Sequence, residues 1–207
     1  NNVFHVPFDP AFGDIDKKGN WNKVYFNNEN PIVLELGCGK GEYTVGLAQK
    51  YPDKNFIGVD IKGNRIWRGA KTALENKMSN VAFIRTRIDF IERCFVENEV
   101  SEIWVTFPDP QPAKSLAKKR LTSPIFLKRY KNFLKKDGVV HLKTDSKLLY
   151  EFTLEVIQEN KFPLIEHTAD LYSTNTIALE ETKAIKTYYE NKFLNQGMPI
   201  HYIRFSI

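Results

Sequence analysis

The residues with chemistry in them are carboxylates and glycines at the ends of short apolar runs. Ile32-Val33-Leu34-Glu35-Leu36-Gly37-Cys38-Gly39-Lys40-Gly41-Glu42 reads as a buried strand, three glycines in five residues, and the opening of a helix. Glycine has no Cβ, so such a turn lets the backbone come close to a ligand. The helix N–H groups just beyond it are unpaired and point at whatever sits there. Glu35 precedes the glycines, where it can face a cation. Asp60 closes the run Asn55-Phe56-Ile57-Gly58-Val59-Asp60, where an acid can accept hydrogen bonds from both hydroxyls of a ribose. Asp89, shortly after Val81–Ile84, stands where an adenine amino group could be read.

A ligand with ribose hydroxyls, an adenine amine, an ammonium and a sulfonium, and no phosphate, suits these acids. S-adenosylmethionine is such a ligand. Gly37, Gly39 and Gly41 depart by one residue from the GxGxxG dinucleotide pattern, so the glycines alone also admit a nicotinamide cofactor. Two of the acids have a plainer reading as well: Asp60 as a turn or helix-cap residue, and Asp89 as the cap of the short helix after it.

A second constellation is Thr106-Phe107-Pro108-Asp109-Pro110-Gln111-Pro112. Two prolines restrict the backbone around Asp109, so its carboxylate is held rigidly at the sheet's edge, and it is the candidate catalytic residue. A proline turn with Asp as its local acceptor is the alternative. No acid occurs between Pro110 and Asp137, while nine lysines and arginines do. Lys118-Lys119-Arg120, nearest the site, is the expected track for phosphates, against the simpler reading of a solvated face. Asp145, after His141-Leu142-Lys143-Thr144, and the helical Thr187-Tyr188-Tyr189-Glu190 converge on the same edge.

Alternating strand and helix signals position these residues. Strands are expected at Ile32–Leu36, Asn55–Asp60, Val81–Ile84, Glu102–Phe107, Gly138–Leu142, Leu164–Thr168 and Ile200–Ile207. Helices are expected at Glu42–Tyr51, Asn64–Lys77, Pro124–Leu134, Lys147–Asn160 and Glu180–Asn195, with Ile66, Trp67, Ala70, Ala73 and Leu74 on the apolar side of the second. Repeated βα units define an α/β fold, a mostly parallel seven-stranded sheet with helices on both faces and an antiparallel edge strand. Residues 1–30 read as an irregular arm docking through aromatic rings, and residues 31–207 as the domain proper.

Composition narrows the class. A chain of 207 residues is long enough for one sizeable core, and a net charge of +5 suits a polyanionic partner. Two cysteines give no disulfide framework and fit a reducing cytoplasm. The four histidines have no metal-ligand spacing, so no metal site is expected. No apolar run approaches the ~20 residues of a membrane span.

The order Leu-Glu-Leu-Gly-x-Gly-x-Gly, Gly-Val-Asp, Phe-Pro-Asp-Pro, Lys-Lys-Arg-Leu, Lys-Thr-Asp and Thr-x-Tyr-Glu-x-Lys-Phe resembles the bacterial tRNA (guanine-N7-)-methyltransferases, from about Ile32 to the C-terminus. The glycine motif is shared by many class I methyltransferases; the proline turn with its basic tail and the Thr-x-Tyr-Glu helix are more specific. The resemblance implies a Rossmann-like class I methyltransferase fold. It also implies methyl transfer from S-adenosylmethionine to N7 of the variable-loop guanine of tRNA, by a monomer or homodimer. Glu35, Asp60, Asp89 and Asp109, with the glycines, would then contact the cofactor, and Asp109 would also be the active-site acid. Asp145 and Thr187 to Glu190 would face the guanine or its surroundings. The family's substrate-contacting Lys is missing at Ala113, and Lys114, one residue along, is the expected substitute. Other readings are a methyltransferase of exocyclic nucleic-acid amines, an NAD(P)-dependent oxidoreductase, and a non-catalytic RNA-binding protein.

Overall fold

The computed structural model describes residues 2–174 and 177–207, and among these one sheet organises the fold. Its strands are β1 (Val3–His5), β2 (Ile32–Leu36), β3 (Asn55–Asp60), β4 (Val81–Arg85), β5 (Val100–Thr106), β6 (Leu134–Thr144), β7 (Leu164–Thr168) and β8 (His201–Ser206), in the spatial order β1-β4-β3-β2-β5-β6-β8-β7. All neighbours pair parallel except β8, which runs antiparallel to both β6 and β7. β2 and β3 are buried at every position, as a central parallel strand covered on both faces must be.

The helices are α1 (Glu42–Lys50), α2 (Gly63–Glu75), α3 (Pro124–Lys131), α4 (Lys147–Glu159), α5 (Ile177–Lys183) and α6 (Tyr188–Asn195). One core packs α3, α4 and the N-terminal residues against Leu34, Ile57, Ile84 and Leu142. The other packs α1, α2 and the C-terminal helices against Val33, Phe56, Phe83 and Trp104. Chain order reverses at β2, whose neighbours are β3 on one side and β5 on the other. The crevice beyond the carboxyl ends of such a pair is where open α/β sheets bind ligands, and β2 runs into the glycine turn.

The expected architecture is present, with eight strands among the described residues rather than seven. The extra strand is β1, from the stretch read as irregular, which pairs with β4 from Val3↔Phe83 to His5↔Arg85. Trp21 of the same stretch is fully buried, its Nε1 donating to the Cys94 carbonyl at 2.9 Å, while Phe8 and Phe12 stay exposed. Three further expectations are corrected. The helix from Pro124 ends at Lys131, and Leu134 already pairs with Val100. The chain then bulges through exposed Lys135–Asp137 before the ladder resumes at Val139. The expected helix Glu180–Asn195 is two helices, because the buried Lys143 ammonium takes the carbonyls of Thr182 and Ile185 and Thr187 caps a new start.

On α2, Ile66, Gly69, Ala70 and Ala73 face inward, and Trp67 and Leu74 face solvent. The inward stripe of small residues lets α2 approach the glycine turn: a Cβ at Gly69 would lie 2.7 Å from the Lys40 carbonyl oxygen.

Gly41, at φ +71°, begins α1, and a Cβ there would meet the Phe83 ring at 2.6 Å. Left-handed backbone and overpacking both penalise a side chain. Gly41→Ala is expected to lose roughly 2–4 kcal/mol in urea unfolding.

Candidate cofactor and substrate site

The glycine turn is held by Asp60. Gly37, Gly39 and Gly41 all have positive φ, of 80°, 54° and 71°. The Gly37 and Cys38 amides donate to the Val59 carbonyl, at 2.8 and 3.0 Å. Asp60 Oδ2 accepts from the Gly39 N–H at 2.9 Å, and Oδ1 accepts from the Lys62 N–H at 2.8 Å, at the start of α2. The two readings of Asp60 are therefore compatible: it fixes the turn, and each oxygen keeps a second lone pair.

Asp60 also lines a cavity of about 500 Å3, together with Gly37, Thr86, Ile88, Asp89, Leu121, Ile125 and Phe126. Its walls combine apolar side chains, suited to a flat purine, with acceptors, suited to hydroxyls. The Thr86 hydroxyl is buried in this lining without a hydrogen-bond partner among the described residues. A buried orphan hydroxyl on a residue of the lining is what a bound polar ligand would satisfy, so the residues fit an adenosine group. Thr86 was missed by sequence reasoning; its signal was a small polar residue directly after the end of β4 at Arg85. Asp89 accepts from Arg87 Nη2 at 3.3 Å, with both side chains about half exposed.

Glu35 is buried and already engaged. Its Oε2 accepts from the Thr44 N–H and hydroxyl, and its Oε1 from the Thr106 hydroxyl. Burial outweighs these three donors and lifts its pKa to about 7, with Asp60 adding repulsion. It lines a second cavity of about 120 Å3, with the glycine turn, Phe107, Thr187, Tyr188 and Tyr189. Cys38, in the same lining, is a buried thiol that burial keeps protonated.

The proline turn is rigid by construction. Phe107 and Gln111, on either side of Asp109, both sit at φ +47°, a strained value for residues with a Cβ. Phe107 N–H donates to the Lys143 carbonyl, and the Arg120 guanidinium donates to the carbonyls of Pro110 and Gln111. Arg120 is 6% exposed and stacks over the Phe152 ring. It is a strut of the turn, which corrects its placement in the phosphate track: its donors are used internally because the turn needs them. Lys118 and Lys119 remain exposed and line the larger cavity, and Lys114 is exposed at the start of the 3-10 helix Lys114–Lys119. Asp109 is exposed, its Oδ1 accepting from the Gln111 N–H at 3.0 Å.

The C-terminal segment closes the site from the other side. Thr187 caps α6 by accepting from the Glu190 N–H, and the Tyr188 N–H donates to Glu42 Oε2 at 2.9 Å. Tyr188 and Tyr189 are exposed at the smaller cavity. Asp145 is partly buried, which raises its pKa. Glu190 points inward, a correction to its placement at the substrate. It is fully buried, 2.7 Å from Lys143 Nζ and accepting from the Tyr172 hydroxyl at 2.6 Å. Burial lowers the pKa of Lys143 and Glu190 opposes the shift, so the pair locks α6 to β6. Among the described residues no group of three His, Cys, Asp or Glu is placed to hold a metal, and no helix is long and apolar enough to cross a membrane.

This arrangement, a parallel sheet ending in a glycine turn clamped by the acid of the next strand, defines an S-adenosylmethionine-dependent methyltransferase of the Rossmann-like class. Solved structures agree on the fold. The 16S rRNA methyltransferase KamB superposes with a TM-score of 0.67, at 14% identity over 98% of this chain and 95% of that one. A family model described as "Putative methyltransferase" matches residues 29–203. A tRNA (guanine-N(7)-)-methyltransferase of Christiangramia forsetii is 57% identical over 93% of this chain and 86% of its own length. One of Bacteroides fragilis is 52% identical over 98% of this chain and 79% of its own. The chain belongs to the tRNA (guanine-N7-)-methyltransferase family.

Glu35 titrates near 7 in the folded chain, against 4.5 ordinarily. The stability this implies is present below about 4.5 and is lost as pH rises through about 7, because the folded state holds the proton longer. The loss is on the order of 3 kcal/mol. Urea unfolding at about pH 5 and about pH 8 is expected to show the protein losing stability relative to Glu35→Gln across that window.

Proposed function

We propose that this chain transfers the methyl group of S-adenosylmethionine to N7 of a guanine in the variable loop of tRNA, in the cytoplasm where that substrate resides. The observation that carries the reading is the clamped glycine turn beside the rigid proline turn, in a chain more than half identical to tRNA (guanine-N(7)-)-methyltransferases over most of its length.

S-adenosylmethionine supplies, when bound, an electrophilic methyl group on a cationic sulfur. In this reading Asp60, Thr86 and Asp89 hold its adenosine half, and the glycine turn with Glu35 and Asp109 faces its charged half. N7 of guanine carries an in-plane lone pair and no proton, so no residue has to act as general base. What the chain must supply is alignment and a favourable field. Orientation alone lowers such barriers by up to ~7–11 kcal/mol. Positive charge grows on the purine as the methyl group arrives, so a carboxylate already aimed there stabilises the transition state more than the ground state. Asp109 is assigned that role, held by Arg120 and the flanking prolines, with Asp145 as second acid. Tyr188 and Tyr189 offer exposed rings for the base, and Thr187 and Glu190 act by setting α6. Lys114, Lys118 and Lys119 meet phosphates at the rim.

Incubation with unmodified tRNA and labelled methyl donor, followed by nucleoside analysis, is expected to yield N7-methylguanosine; label in any other nucleoside would overturn the assignment. Asp109→Ala is expected to lower turnover roughly 100- to 1,000-fold, as loss of a transition-state charge partner does, with tRNA affinity within about twofold. Near-normal turnover would remove Asp109 from the chemistry. Joint Lys118→Ala and Lys119→Ala substitution is expected to flatten the salt dependence of tRNA binding by roughly one to two in log–log slope.

A further inference from the structure

Apart from Arg65, which also lines the smaller cavity, the outward face of α2 is not used by the site described above, and it is unusual. Trp67 is 58% exposed and Leu74, two turns on, is 59% exposed, whereas Trp21 and Trp104, the other two tryptophans, are buried. A solvated helix face rarely keeps its largest apolar side chain in water. Trp67 stands in a groove of about 770 Å3 between α1 and α2, lined also by Lys40, Glu42, Arg65, Arg68 and Thr72. Lys40, Arg65 and Arg68 are exposed there and form no ion pair among the described residues. Among the described residues Glu42 is the one acid of the lining, and its Oε2 already accepts the Tyr188 N–H. The groove adjoins the smaller cavity, with which it shares Lys40, Glu42 and Arg65. At that junction Lys40 Nζ lies 5.1 Å over the exposed Tyr188 ring, and on α2 itself Lys71 Nζ lies 5.2 Å over the Trp67 indole.

Exposed rings alternating with cations along a groove that leads out of an active site form a pattern that binds single-stranded nucleic acid. The rings take bases, and the cations take the phosphates between them. We infer that the α1–α2 groove receives the RNA strand flanking the methylated guanine, with a base stacked on Trp67 and its phosphates held by Lys40, Arg65 and Arg68. The inference rests on the reading that RNA is the substrate and adds where the neighbouring nucleotides run. Lys71 is left out of the phosphate set because Glu75 lies 3.6 Å from it.

The test uses Trp67 as its own probe, since it is the exposed tryptophan. Titration with unmodified tRNA is expected to quench the protein's emission and shield it from acrylamide, and Trp67→Phe is expected to abolish that signal. Trp67→Ala should weaken tRNA binding roughly 5- to 100-fold, the range for one base–aromatic stack, with Trp67→Phe weakened less. Arg65→Ala with Arg68→Ala should lower the salt slope by roughly one to two. Circular dichroism confirms that each variant is folded. Emission unchanged by saturating tRNA, with Trp67→Ala binding as tightly as the parent, would overturn the inference while leaving methylation intact. A dimer that Trp67→Ala dissociates with no change in tRNA affinity would overturn it in favour of a second copy. A parent protein that binds tRNA but yields no N7-methylguanosine would count against the proposed reaction, and the fluorescence would still decide the groove.

Discussion

One carboxylate sets the geometry on which the site depends. Asp60 accepts from the Gly39 amide with one oxygen and from the Lys62 amide with the other. The glycine turn on β2 and the start of α2 after β3 are thereby fixed to one another at the point where the strand order reverses. The three positive φ angles could not be held by residues with a Cβ at low cost, and the close approach of Gly69 to the Lys40 carbonyl leaves no room for one. Asp60 remains at the wall of the larger cavity with lone pairs to spare. With the Val59 carbonyl, which takes the Gly37 and Cys38 amides, this side chain makes a conformationally permissive loop a preorganised seat.

Charge is sorted by depth. Two acids lie inside, Asp60 fixed by amides and Glu35 held by three donors yet pushed to about 7 by burial, while Asp89 is half exposed and Asp109 exposed. Desolvation wins there because short hydrogen bonds to neutral donors cannot replace the lost water. A cationic ligand would tip that balance back toward the ionised carboxylate, which suits a pocket that handles a sulfonium. Cations lie at the rim, on the 3-10 helix and on α2. The exceptions, Arg120 and Lys143, are cations drawn inward to do structural work, one pinning the strained proline turn and the other locking α6 against β6 through Glu190.

Much of this was legible in the sequence because it is local. A strand, three glycines and a helix opening follow from residue types, as does the alternation that makes a parallel sheet. Asp60 could be placed at the end of its strand, beside the glycine turn, from its position in the chain. What sequence reasoning missed depends on partners distant in the chain. Arg120 and Lys118 are neighbours of equal charge, and the difference between strut and rim residue lies in the Pro110 and Gln111 carbonyls. Glu190 reads as helix surface until Lys143 is placed beneath it, and the same lysine breaks the expected single helix in two. Trp67 fits an apolar stripe by spacing, but Gly69, Ala70 and Ala73 pack close enough to turn it outward. The strand Val3–His5 is too short for its own periodicity to show, and only the open edge of β4 makes it a strand.

The central claim is that Asp60 serves the turn and the cofactor at once. Isothermal titration of S-adenosylmethionine into the parent protein and into Asp60→Ala measures it most directly, with Thr86→Val as a second variant that leaves the turn intact. The account expects clear binding to the parent, loss of most binding in Asp60→Ala, and a smaller weakening in Thr86→Val. Equal affinity in all three proteins would contradict it.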